Sequence, residues 1–155
     1  MKNNKGFSLV ELIIVIAIMA ILVGVMAPQL IRYIEKTKES SDTQLLDTVR
    51  SAITTAILDP TVATASNVTI AGSGTLSSYM DGTGVLNVAI QDTLGYTTAS
   101  AVQANLKSKA AFHNNTNGTI NVTVINGNQV VVTCGDLSVG NASAGGSGSQ
   151  AASSN

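Results

Sequence analysis

The chain has 155 residues, enough for one domain with a modest core, and only 11% of them are charged and 3% aromatic. Formal net charge is −1 and the Lys and Arg residues include no cluster of the kind that tracks phosphates, so nothing points to nucleic acid as a partner. A single cysteine, Cys134, excludes an intramolecular disulfide, and a single histidine, His113, excludes a His-pair metal site or a histidine relay.

The first predicted element is an apolar helix. From Leu12 to Ala27 there is no charged or strongly polar side chain, and Pro28, Gln29, Leu30 and Ile31 carry the uncharged run to membrane-spanning length. Lys2 and Lys5 before such a run look like the start of a secretory signal peptide. However, no small-x-small cleavage site follows, and Pro28, Gln29 and Arg32 lead straight into an amphipathic pattern. The segment is therefore expected to be retained as a single membrane pass. The two lysines hold its start in the cytoplasm and leave everything after about Arg32 outside. Glu11 is the anomaly in this run. A carboxylate at a bilayer centre costs roughly 2.5–3.5 kcal/mol even on lenient insertion scales, so Glu11 either reaches water near a boundary or is neutralised by a partner.

Residues 32–59 continue the helix with one apolar face. Leu45, Leu46, Val49, Ala52, Ile53, Ala56 and Ile57 recur at three- and four-residue spacing, and Asp42, Gln44, Asp47, Arg50 and Ser51 are assigned to the polar face. Leu58-Asp59-Pro60 ends the helix, because a residue before proline is pushed out of the α region. Phe7 to Asp59 then forms one helix of roughly 53 residues, about 80 Å at 1.5 Å per residue. Pro28 is expected to kink or loosen it, helped by Gly24 one turn earlier.

Residues 60–139 change texture to Gly, Ser, Thr and Asn, with β-prone runs at 67–71 (NVTIA), 84–90 (GVLNVAI), 119–125 (TINVTVI) and 129–134 (QVVVTC). Asn126-Gly127-Asn128 marks a hairpin between the last two. A short helix is predicted near 99–112, capped by Thr98 or Ser100. Residues 140–155 are low-complexity Gly/Ser-rich sequence, read as a disordered tail. The fold class is α+β, a long N-terminal helix whose outer half packs on a small antiparallel sheet; a hairpin alone is marginal, so the helix supplies part of the core.

No catalytic constellation, cofactor fingerprint or metal cluster emerges. Gly72-Ser73-Gly74 and Gly82-Thr83-Gly84 are too short for a phosphate loop and no P-loop lysine follows. Asp81 and Asp92 flank a glycine-bearing turn and read as solvated turn residues, and Cys134 in VVVTCG reads as a small buried thiol. Asn67, Asn114, Asn117 and Asn121 match glycosylation acceptors only formally, as Asn/Thr-rich strands do.

One motif is more specific. In KGFSLVELIIVIAIMAILVGVMAP a short basic leader ends in Gly6, Phe7 follows, and Glu11 stands fifth after the glycine at the head of an apolar helix. This resembles the type IV pilin-like family and covers about the first third of the chain. The resemblance implies a leader peptide, residues 1–6, cut after Gly6 by a membrane-embedded prepilin peptidase that also N-methylates Phe7. It implies an assembly helix at 7–31 in which Glu11 pairs with the N-terminal ammonium of a neighbouring subunit. It further implies that Pro28 is the helix breaker around which the helix loosens in filaments. The family's second breaker, about eight residues earlier, is Ala20 here, with Gly24 standing closer instead; the two C-terminal cysteines of many Gram-negative pilins are absent. The implied function is that of a non-enzymatic structural subunit of a type IV pilus, homopolymeric through its N-terminal helices and handled by the pilus assembly machinery. Such a subunit passes from the cytoplasmic membrane to an extracellular filament serving adhesion, motility or surface colonisation. The alternative is a pseudopilin of a type II secretion system or of a competence pilus, the latter being the one case in which nucleic acid is a partner.

Overall fold

Helical residues with no interior breaker other than Pro28 form α1, which runs from Leu9 to Leu58 in the computed structural model; this describes residues 7–65, 72–127 and 129–140. The chain divides into two compact units, Met1–Lys38 and Glu39–Asn155. In the first, described from Phe7, the chain is helical from Leu9 and exposes nearly every side chain it has.

The second unit has a conventional core. α1 contributes Leu46, Val49, Ala52, Ile53, Ala56 and Ile57, all buried, at the three- and four-residue spacing that keeps one helix face inward. α1 stops at Leu58, where the sequence demands it. Asp59 is extended (φ −66°, ψ 127°), and Pro60 opens the short α2, Pro60–Ala63. Asp59 Oδ1 accepts hydrogen bonds from the Thr61 backbone N–H (2.8 Å) and hydroxyl (2.6 Å). These bonds hold the Asp59 carboxyl below its usual pKa, the Thr61 hydroxyl being the larger cause.

Beyond α2 come β1 (Gly72–Thr75), α3 (Leu76–Met80), α4 (Val85–Leu94), α5 (Ala99–Gln103), α6 (Lys109–Phe112), β2 (Asn121–Ile125), β3 (Gln129–Cys134) and β4 (Leu137–Val139). The strands make one antiparallel sheet in the order β1-β2-β3-β4. Alternation places Val122 and Val124 of β2 beside Val130, Val132 and Cys134 of β3 in the core that Leu46, Val49 and Ile53 also enter. In the β2–β3 connection, Asn126 and Gly127 both take positive φ (53° and 75°), which those residues tolerate and most do not. Gly135 turns β3 into β4 at φ +58°, and a Cβ there would collide with the carbonyl oxygens of Ala110 and Ala111; the same turn donates Asp136 N–H to Ala110 O at 2.9 Å.

The α+β expectation holds, as do the end of α1 and the β2–β3 hairpin. Three expectations need correction. The run at 84–90 is not a strand but most of helix α4: Leu86, Ile90 and Leu94 recur every fourth residue toward the core, and Gly95 (φ 71°) closes the helix by donating to Gln91 O at 2.9 Å. The side-chain amides of Asn87 and Gln91 donate to Tyr79 O (2.9 Å) and Met80 O (2.5 Å), tying α4 to the end of α3. The single helix expected at 99–112 is two short ones, capped by Thr98 and Ser108, with Leu106 buried between them. The third concerns Asp42, which is buried and not on a polar face. The expected strand at 67–71 lies outside the described residues, as does the tail expected at 140–155 except for Gly140.

Candidate assembly site

Phe7 and Ser8 precede the first helical turn, and Ser8 O accepts the Leu12 N–H at 3.2 Å. Phe7 is 85% exposed. Glu11 lies in the first turn of α1, also exposed, where unpaired N–H groups and the helix dipole favour a carboxylate. The sequence offers it no nearby cation: between Lys5 and Arg32 there is no Lys, Arg or His. Gly6 lies outside the described residues.

From Leu9 to Ile34 the large apolar side chains stand outward on every side of the helix, none below 46% exposure. The helix is long and apolar enough to cross a membrane. Gly24 and Pro28 fall inside it four residues apart. Proline has no N–H, so the Gly24 carbonyl loses its i+4 donor at the position where glycine already adds backbone freedom. The helix is nevertheless continuous across this turn.

The second unit holds one buried carboxylate that sequence reasoning misplaced. Asp42 is 1% exposed; its Oδ1 and Oδ2 both accept from Lys107 N–H (3.0 Å each), and Oδ2 also accepts from Ser108 N–H at 2.7 Å. The signal was available: Asp42, Leu46, Val49 and Ile53 share one stripe at spacings of four, three and four. An acidic residue on that stripe has to meet donors from a loop. Here it fixes the start of α6, whose cap Ser108 Oγ accepts the Ala111 N–H at 3.2 Å.

Asp81, His113 and Cys134 also have structural partners. Asp81 Oδ1 accepts the Ala99 N–H (2.8 Å) at the start of α5, away from a cation role. Among the described residues no group of three His, Cys, Asp or Glu side chains is placed to hold a metal. His113 Nδ1 lies 2.8 Å from Asp136 Oδ2, both exposed. Cys134 is buried in β3, and its thiol is pushed up to about 11, first by desolvation and then by the charge of Asp42, against a smaller opposing effect of Asn115. A thiol so disfavoured as thiolate is a packing residue.

The site presents a helix whose large apolar side chains from Leu9 to Ile34 are exposed, headed by one acid, Glu11. Residues 1–27 match the family profile of the prokaryotic N-terminal methylation motif. Two fimbrial proteins of Pseudomonas aeruginosa are each 30% identical to the chain over 117 residues, covering 66% of this chain and 76% of each relative. The chain belongs to the type IV pilin-like family. No solved structure matches it significantly. In this pilin-like chain the methylation motif overlaps the exposed apolar helix over residues 9–27 and ends one residue before Pro28. Motif and helix together fit membrane anchoring before assembly.

Proposed function

We propose that this chain is a structural subunit of a type IV pilus filament. A prepilin peptidase cuts between Gly6 and Phe7 and methylates the new amino group of Phe7. The helix from Phe7 to about Ile31 rests in the cytoplasmic membrane, then leaves it for a bundle of sister helices in an extracellular filament. The observation that carries this reading is the apolar surface from Leu9 to Ile34, exposed on all sides in the isolated chain. Lipid and sister helices are two environments that cover such a surface all round. Around Gly24 and Pro28 the missing hydrogen bond lets the helix loosen as it changes environment.

Glu11 gives the assembly its register. Cleavage creates an ammonium at Phe7, and the nearest basic side chain along the mature chain is Arg32. A carboxylate and an ammonium about 4 Å apart attract by roughly 4 kcal/mol at an effective dielectric near 20. That is comparable to the cost of taking the carboxylate into an apolar bundle, and either charge left alone there is strongly unfavourable. Pairing Glu11 with a neighbour's Phe7 satisfies both charges and fixes the axial step, as buried polar groups fix register in coiled coils. The likeness to fimbrial proteins supports a pilus subunit over a pseudopilin. The test is mass spectrometry of the N-terminus together with electron microscopy of sheared surface material. A methylated start at Phe7 in protein recovered from filaments is expected; a start near Met1, or one after Ala27, contradicts the reading.

A further inference from the structure

A bundle of N-terminal helices brings the second units of neighbouring subunits together, and the surface of that unit is unevenly furnished. Among its described residues the exposed large apolar side chains are Leu58, Val85, Val88 and Phe112. Val85 and Val88 line a groove of about 500 Å³ between the end of α1 and α4, along with Ala56, Ala89 and the carboxylates Asp59 and Asp92. Leu58 stands beside Asp59 in the chain. Thr55, Thr61, Thr83 and Thr93 complete its lining, so this end of the unit is acidic with a small aliphatic patch in a polar surround.

The opposite character appears at the other end of the same stretch of α1. The only lysines after residue 38 are Lys107 and Lys109, both exposed. Exposed Phe112 completes that segment. The backbone of Lys107 is bonded to Asp42, which fixes its level along α1. Asp42 and Ala56 are 14 residues apart on one helix, hence about 21 Å apart along its axis. The nearby carboxylate of Asp136 faces His113. A patch with two lysines and Phe112 and a groove with two carboxylates are thus displaced from each other along the helix axis.

We propose that the Asp59–Asp92 groove of one subunit receives the Lys107–Phe112 segment of the next, as a head-to-tail contact between second units; this rests on the filament reading above. Two different patches meeting across copies make a heterologous interface, which extends into an open helical array when its rotation does not close into a ring. The charges steer and register the contact, and Phe112 with Val85 and Val88 supplies the apolar centre.

The experiment uses the full-length chain expressed in a piliated host. Asp92→Lys and Lys107→Glu are made singly and together; Asp59 is spared because it caps α2, and Lys109 because it lies inside α6. Sheared filaments are quantified against mature, membrane-held subunit beginning at Phe7. Each single reversal should lower filament yield at least fivefold without changing the amount of mature subunit, and the double variant should recover most of the loss. Recovery is the decisive readout, since damage to folding alone would add across the two changes. Wild-type yield from both single variants would assign the groove to some other occupant and overturn the proposal. So would a double variant no better than either single one. Absence of filaments from the wild-type chain would instead defeat the filament reading, and this contact with it.

Discussion

Residues 7–34 and residues 39–140 are made of similar aliphatic side chains put to opposite use. Ile16 and Ile53 lie on the same helix, one 55% exposed and the other fully buried. In the second unit the α1 aliphatics Leu46, Val49, Ile53 and Ile57 keep to one stripe, which is buried in one core with Val122 and Val124 of β2 and Val130 and Val132 of β3. In the first unit aliphatic side chains surround the helix and stand exposed from Leu9 to Ile34. The difference lies in periodicity and not in composition: a stripe is built for one partner sheet, whereas an all-round apolar helix needs an environment.

The largest expected effect comes from separating the two regions. Removing Met1–Ala27 should convert a detergent-requiring protein into a soluble monomer with mixed α/β circular dichroism, because the core residues all lie from Leu46 onward. Aggregation at low concentration would break the comparison, by showing that the second unit depends on the first. Next in size is a matched pair of truncations. Ile53→Ala should destabilise the second unit by about 2–5 kcal/mol through the cavity it leaves. Ile16→Ala should leave the second unit's denaturant midpoint unchanged.

How much of this was legible beforehand follows from where the periodicity was strong. The apolar run, the stripe from Leu46 to Ile57 and the stop at Asp59-Pro60 all announce themselves, as does the alternation around Asn126-Gly127. The run at 84–90 reads as a strand because Val85, Val88 and Ile90 suit strands, whereas the four-residue recurrence of Leu86, Ile90 and Leu94 and the cap at Gly95 decide for a helix. Strand β1, of sequence Gly-Ser-Gly-Thr, carries no strand signal of its own and owes its conformation to pairing with β2. The charge of Asp42 points to the polar face, but its place on the stripe, one turn before Leu46, is the better guide. Of the assembly site the motif itself was fully visible, while the complete exposure of the helix that follows it needed three dimensions.

Smaller effects sharpen the contrast within the second unit. Asp42→Ala should cost about 2–4 kcal/mol, since it strands the backbone donors of Lys107 and Ser108 in a buried site. Thermal or denaturant unfolding reads this directly, and a change under 0.5 kcal/mol on the order of an ordinary surface substitution would show that water replaces the carboxylate. Cys134 should resist alkylation at pH 8 in the folded protein, with about one thiol in a thousand ionised, and react fully in denaturant. The sign of the linked stability follows. The thiol is raised in the folded state from the usual 9.0 to about 11, so its contribution is complete below pH 9 and is lost as the pH climbs toward 11. Cys134→Ala should flatten that alkaline decline slightly.

Glu11 is where the two regions' logics collide, since it is the one charged side chain between Phe7 and Ile31. The measurement is filament yield from Glu11→Ala, expressed beside wild type and scored as sheared filament against mature, membrane-held subunit. Insertion, cleavage at Phe7 and the stability of the second unit should be unaffected, with insertion slightly favoured by loss of a charge. Filament yield should nevertheless collapse, and nearly as far with Glu11→Gln, because each Phe7 ammonium then enters an apolar bundle without a carboxylate. Normal yield from Glu11→Ala would mean that the carboxylate only reaches out to water, and that it has no part in assembly.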